Sequence, residues 1–302
     1  MSTSFRDELR STLRSGDTLN ILILLNVGVF LFLHIIDAVL KLFMVTDFGS
    51  SSLINFFAVP ASLNNLIWKP WTLITYQFLH YDFFHILFNL LWLFWMGKIF
   101  AEYLGMKKLL STYILGGIAG AVFFMLAYNI FPRFSNSVSE AQALGASASV
   151  LAITVAIATL IPDYTVHLFL LGPVKLKYLA LATILLDLIN ISGSNAGGHI
   201  AHLGGAVFGY VYITNQKKGN NIALWFEKLI ERLAGLFSRS KMKVIKKDRP
   251  LSDEEYLHNK KASQEKIDSI LEKISRSGYG SLTSEERNML FNYSSNKNSD
   301  IN

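Results

Sequence analysis

The stretch "GGHIAHLGG" (residues 197–205) runs straight into the apolar run "AVFGYVYI" (206–213), and its reading decides the fold. Histidine is costly in lipid, and glycine weakens a helix that stands alone in water. A segment carrying both makes sense where helices pack closely and polar side chains have partners at the same depth. Working outward, five more apolar segments approach the roughly 20 residues that a helix needs to cross a bilayer. The set is 19–40, 84–101, 108–131, 144–161, 176–191 and 199–214, with the quoted stretch heading the last.

Composition agrees. Of 302 residues, 51% are hydrophobic and 17% charged, against about 25% charged in an ordinary soluble domain. Residues 1–216 hold 11 Lys/Arg and 10 Asp/Glu while 217–302 hold 17 and 12, so most of the net +6 sits at the end. The expected fold is an all-α membrane protein, a six-transmembrane-helix bundle with a small cytoplasmic helical tail. Its expected parts are a cytoplasmic segment (1–18), a membrane domain (19–216), an amphipathic and basic interfacial segment (217–249), and a helical hairpin with a disordered end (250–302). Cysteine is absent, which excludes disulfides, thiolate metal sites and a cysteine nucleophile. Arg6, Asp7, Glu8, Arg10 and Arg14 precede an apolar run too long for a cleavable signal.

Basic residues set the expected orientation, because cytoplasmic loops carry the excess of Lys and Arg. With the N-terminus inside, the inner loops hold Arg6, Arg10, Arg14, Lys98, Lys107, Lys108, Lys175 and Lys177, and the outer loops only Lys41, Lys69 and Arg133. Both termini are therefore expected to be cytoplasmic. The long connection 41–82, with Phe56, Phe57, Trp68 and Trp71, reads as an aromatic loop at headgroup level. "NIALWFEKLIERLAGLF" (221–237) puts Ile222, Trp225, Phe226, Leu229, Ile230, Leu233 and Phe237 on one helical face, opposite Glu227, Lys228, Glu231 and Arg232. That pattern suits the inner interface, and the basic run "SRSKMKVIKKDR" (238–249) suits anionic lipid. Ser252-x-x-Glu255 and Thr283-x-x-Glu286 read as capping boxes, with "SGYGS" (277–281) as a turn between them.

With that orientation, polar residues of four helices fall in one layer, about 5–10 Å below the outer surface by the helical rise. His85 and Asn89 open the second span, Ser147 the fourth and His202 the sixth, while Asp187 and Asn190 close the fifth. Alone, each has an ordinary structural explanation: small hydroxyls and glycines favour close helix contact, and a histidine can be a packing residue. Ser149 faces away from Ser147, and Gly205-x-x-x-Gly209 would let the sixth helix approach the fourth. Their convergence at one depth is what points to function. His80, His85, His199 and His202 invite a metal reading, but the helical zinc-protease motif is missing. Neither a metal nor a cofactor is expected, and no nucleic-acid partner.

At this point the residues resemble the rhomboid family of intramembrane serine proteases. "HYDFFHILFN" (80–89) is similar to the family's histidine-rich opening of its second helix. "GASA" (145–148) is similar to its serine motif, and "AHLGG" (201–205) to the stretch carrying its histidine. "PWTLITYQFLH" (70–80) and "AEYLG" (101–105) match the flanking pattern, so the resemblance runs in order from about residue 50 to 215. It implies cleavage of transmembrane protein substrates by a Ser147–His202 dyad near the outer face. His85, Asn89 and the Ser147 backbone N–H would hold the oxyanion, and His80 and His85 would line the water path. A bacterial inner membrane is the expected location, with an organelle membrane as the alternative. Asp187 is deep enough to orient His202, but the resemblance implies a dyad, so Asp187 is read as a packing or gating residue. Two positions depart from the family pattern: Thr72 follows Trp71 where arginine is usual, and Leu151 stands where an aromatic ring is often found. The rival readings are a non-catalytic rhomboid-like adaptor and, further off, a transporter using the same polar layer.

Overall fold

The computed structural model describes residues 17–43, 50–168, 172–193, 195–237 and 253–290. It divides into two compact units, 1–238 and 239–302. In the first, each expected apolar segment forms a helix: α1 Thr18–Leu42, α5 Phe83–Leu104, α6 Met106–Ile130, α7 Ser147–Leu160, α8 Leu176–Asn190 and α9 Ala196–Lys217. Helices α1, α5 and α6 are long and apolar enough to cross a membrane. The connection after α1 holds α2 Ser50–Phe57, α3 Leu63–Trp68 and α4 Thr72–Thr75.

Helix α7 is the centre of the bundle. Ala148 through Ala158 are all buried, and α5, α6, α8 and α9 pack around them. A helix that is apolar all round belongs in the interior, and this one meets its neighbours through small residues. A Cβ on Gly205 or Gly209 would overlap the carbonyl of Ala148 or Ala152, and one on Gly116 would overlap the Ala152 side chain. The glycines of the opening stretch thus bring α9 against the backbone of α7.

The fourth segment begins three residues later than expected, at Ser147 rather than 144. Before it the chain is extended, because Gln142–Ala143 (β2) pairs antiparallel with Val59–Pro60 (β1). Gly145 then turns the backbone at φ +125°, and its N–H donates to the Tyr76 carbonyl at 2.9 Å. With 14 residues, α7 is about 21 Å long, shorter than the roughly 30 Å hydrocarbon core. Ser147, its first residue, is partly buried and follows directly on the Gly145 turn.

Folded loop structure fills the space above it. The 41–82 connection is more than the aromatic loop expected from its composition, because Tyr76 and Gln77 are wholly buried. Tyr76 donates its hydroxyl to the Gly117 carbonyl. Gln77 Nε2 donates to the carbonyls of Leu73 (2.9 Å) and Ile114 (3.3 Å), and Gln77 Oε1 accepts from Ser149 Oγ at 3.1 Å. Tyr113 donates to the Gln77 carbonyl at 3.0 Å. Buried polar groups without partners are costly, so this satisfied network fixes the loop to α6 and α7. Of the aromatic anchors, Trp68 is 80% exposed, and Trp71 Nε1 donates to the Phe56 carbonyl at 2.9 Å. Thr72 is buried with its hydroxyl on the Lys69 carbonyl at 2.6 Å.

The amphipathic helix α10 (Leu224–Phe237) turns Phe226 and part of Ile230 toward the core and leaves Trp225, Leu229 and Leu233 exposed. Its Glu231–Lys107 pair at 2.7 Å is exposed and contributes little. The basic run 238–249 lies outside the described residues. In the second unit, α11 (Asp253–Ser277) is followed by a turn at Gly278, φ +75°, and a short helix over 284–290. Thr283 and Glu286 form a reciprocal capping box, with N–H to side-chain oxygen distances of 2.7 and 3.3 Å. Ile267, Ile270 and Leu282 are its buried apolar residues. Ser252, the first residue of the other expected capping box, lies outside the described residues.

Candidate active site

Three helices bring their side chains together where α7 begins. Ser147 is the first residue of α7, so its backbone N–H belongs to the free first turn of the helix. His202 lies in the second turn of α9, and its Nε2 is 2.6 Å from Ser147 Oγ. The other ring nitrogen, Nδ1, is 2.8 Å from Asp187 Oδ1 on α8. His199, one turn earlier on α9, places its own Nδ1 2.7 Å from the same Asp187 oxygen. Sequence spacing carried part of this signal, since residues i and i+3 share a helix face; the sharing of one carboxylate oxygen depends on how α8 is rotated.

Helix α5 supplies the facing wall. Asp82 caps it, accepting from the His85 backbone N–H at 2.9 Å. Asn89 Nδ2 donates to the His85 carbonyl at 2.8 Å, which leaves its second N–H available. The His85 ring stands close to Gly145: a Cβ there would come within 3.0 Å of that ring and 3.5 Å of Ser147 Oγ. Ser149 is fully buried and bonded to Gln77, away from this group.

Two cavities meet at these residues. One, of about 460 Å³, is polar and is lined by Tyr81, Asp82, His85, Gln142, Asn195 and Gly198. The other, of about 470 Å³, opens between α5 and α8 and is walled by Phe88, Trp92, Trp95, Val150, Leu151 and Leu186. Asn89, Ser147 and His202 line both. Leu151 takes the place of a stacking ring with an aliphatic wall.

His80 is 2% exposed and sits behind His85 with ring centroids 4.9 Å apart. It is not on the wall of the polar cavity at Ser147 but lines a separate one of about 450 Å³ with His34, Asn55 and Tyr81. Burial first, then His85, holds its pKa down at about 3, so the ring is neutral at ordinary pH.

The donor atoms of Asp187, His199 and His202 lie within 4.8 Å of one another, a set able in composition to hold a metal. Ligands around a tetrahedral zinc ion stand about 3.3 Å apart, given bonds near 2.0–2.1 Å. Both Nδ1 atoms already lie at direct hydrogen-bond distance from Oδ1, 2.7 and 2.8 Å. An ion would have to part them, so the arrangement fits a hydrogen-bonded group better than a metal centre.

A serine at a helix start, an imidazole beside it and a bundle of apolar helices define a membrane protein with a serine-centred polar site. Residues 68–216 match the Rhomboid domain, and residues 252–296 match a family of unknown function, DUF6576. The chain is 33% identical over 158 residues to RHOMBOID-like protein 12, mitochondrial, of Arabidopsis thaliana, covering 49% of this chain and 47% of that one. It is 29% identical over 140 residues to Presenilin-associated rhomboid-like protein A, mitochondrial, of Danio rerio, covering 45% and 35%. It is also 28% identical over 160 residues to Rhomboid-like protein 16, chloroplastic, of Arabidopsis thaliana, covering 49% of each. The chain spans about half or less of the length of these relatives. It carries a Rhomboid domain over residues 68–216 and is an integral membrane protein of predominantly helical fold.

Proposed function

We propose that the protein is an intramembrane serine endopeptidase that cleaves transmembrane protein substrates. The observation that carries this reading is the Ser147–His202 contact of 2.6 Å, set where a polar cavity and an apolar one join. Peptide hydrolysis inside a membrane needs both: water for the reaction and a lipid-side opening for the substrate. A serine hydroxyl is a weak nucleophile until a base takes its proton. His202 Nε2 accepts that proton as Ser147 Oγ attacks the scissile carbonyl, and returns it to the leaving amine when the C–N bond breaks. Water from the polar cavity then gives a proton to His202 and attacks the acyl-enzyme; as the acyl C–Oγ bond breaks, His202 returns that proton to Ser147 Oγ and the second product leaves as the acid. The oxyanion of each tetrahedral intermediate would sit against the Ser147 backbone N–H, the His85 ring and the free N–H of Asn89. The substrate helix enters sideways between α5 and α8.

The six helices would cross the bilayer with both termini in the cytoplasm, following the basic inner loops, and α10 would lie on the inner interface. A bacterial inner membrane suits the short loops; the relatives are mitochondrial or chloroplastic by name. Among the rival readings, an adaptor has no use for a base at hydrogen-bond distance from a serine.

Labelling with a fluorophosphonate probe, together with cleavage of a transmembrane reporter, tests the proposal. Wild type is expected to be labelled at Ser147 and to cut the reporter. A folded protein that does neither is an adaptor or a transporter.

A further inference from the structure

We infer that Asp187 is a positioning residue that makes the dyad a triad, with His199 holding the carboxylate in place. The inference rests on the proteolytic reading above and departs from the dyad that the family resemblance implies.

The local energetics speak against a purely structural Asp187. It lies in the last turn of α8, where the negative end of the helix dipole disfavours an anion. It is 7% exposed on a helix that leaves Leu185, Leu188 and Ile189 about half exposed or more. A carboxylate in such a place is retained only where it is hydrogen-bonded. Among the described residues, its partners are the two imidazoles of α9, at 2.7 and 2.8 Å.

Those partners determine what the carboxylate does. An ionised carboxylate only accepts, so each imidazole facing it donates through Nδ1–H. For neutral His202, a proton on Nδ1 leaves the lone pair on Nε2, the atom 2.6 Å from Ser147 Oγ. The carboxylate thereby selects the tautomer that can act as base. It also stabilises the imidazolium formed when Ser147 loses its proton, as in the Ser-His-Asp arrangements of other folds. His199 is the second donor to Oδ1, so the oxygen is held between two rings on one helix and cannot swing away from His202. An asparagine at 187 could turn its NH₂ toward His202, placing the proton on Nε2 and removing the base.

The test uses the purified full-length chain in detergent, reading fluorophosphonate labelling rate, reporter kcat and KM, and Tm. Asp187→Asn is expected to lower kcat and labelling by at least about 100-fold, with KM within about twofold and little change in Tm. A folded Asp187→Asn protein labelled at the wild-type rate would overturn the inference while leaving the proteolytic reading intact. An unlabelled wild type would overturn both. Independently of any variant, ¹⁵N-histidine spectra of the wild type, assigned by His202→Ala, are expected to show neutral His202 protonated on Nδ1. A proton on Nε2 would overturn the inference even if Asp187→Asn failed to fold.

Discussion

Helices α7 and α8 stand side by side at the site and are built in opposite ways. Helix α7 is buried throughout Ala148–Ala158, pressed against α9 with no room for a Cβ at Gly205 or Gly209. Helix α8 packs on α7 and α9, and turns Leu181, Leu185, Leu186, Leu188 and Ile189 outward, each about half exposed or more. The serine and its base sit across the tight joint, α7 against α9. The apolar opening sits at the loose one, α8 across from α5. Bond-making needs a fixed distance between two atoms, and substrate access needs a boundary that can part. The packing supplies each where the proposed reaction uses it.

The most severe way to break the contrast is to remove the groups that the tight joint holds. Ser147→Ala and His202→Ala should each abolish cleavage of a transmembrane reporter in folded protein. The double variant should be no worse than either, because the two act as a unit. Substantial cleavage by Ser147→Ala would remove the nucleophile assignment.

Next comes the joint itself. In Gly205→Val the new side chain overlaps the Ala148 carbonyl, and a backbone atom cannot move aside as a flexible side chain can. The expected cost is about 1–3 kcal/mol or more, read as a lowered Tm together with at least a tenfold loss of fluorophosphonate labelling. A variant of unchanged Tm and full activity would mean that the α7–α9 contact is looser than drawn.

Smaller effects belong to the facing wall. Asn89→Ala should lower turnover by about 100-fold or less, since the Ser147 N–H and His85 remain as oxyanion donors. An unchanged rate would make Asn89 a packing residue that only caps the His85 carbonyl. On the loose side, Leu186→Ala should leave labelling by a small probe unchanged and alter reporter cleavage by no more than about threefold. Leu186 is 59% exposed and lines the opening. A large loss of labelling would show that α8 bears on the chemistry through Leu186.

The sequence was most legible where one periodic signal sufficed. Long apolar runs marked six helices, and the rise per residue brought Ser147, His202, His85 and Asn89 to one level. Helix rotation was not legible, because hydropathy gives depth along an axis and not the angle about it. Asp187 was therefore seen at the right depth, while its contact with His202 and His199 was not. The start of α7 was hidden for another reason: residues 144–146 are apolar or small, yet strand pairing and the turn at Gly145 keep them out of the helix. The burial of the loop around His80 was not legible, because the partners of Tyr76 and Gln77, here Gly117, Ile114, Tyr113 and Ser149, lie far away in sequence. The tail was legible as helical, with the Thr283–Glu286 capping box in place, but no pattern in it names a partner.

The length of α8 has a consequence for the lipid around it. Fifteen residues cover about 22 Å, well short of the roughly 30 Å of an average hydrocarbon core. The brevity of α7 is hidden inside the bundle, but α8 turns its apolar side chains outward. If α8 crosses the bilayer as proposed, lipid beside it would thin to match, or leave ends of the helix mismatched, at a fraction of a kcal/mol per Å. The bilayer would then be shallowest next to the opening between α5 and α8, where the end of a neighbouring helix would first lose its hydrocarbon cover and meet water.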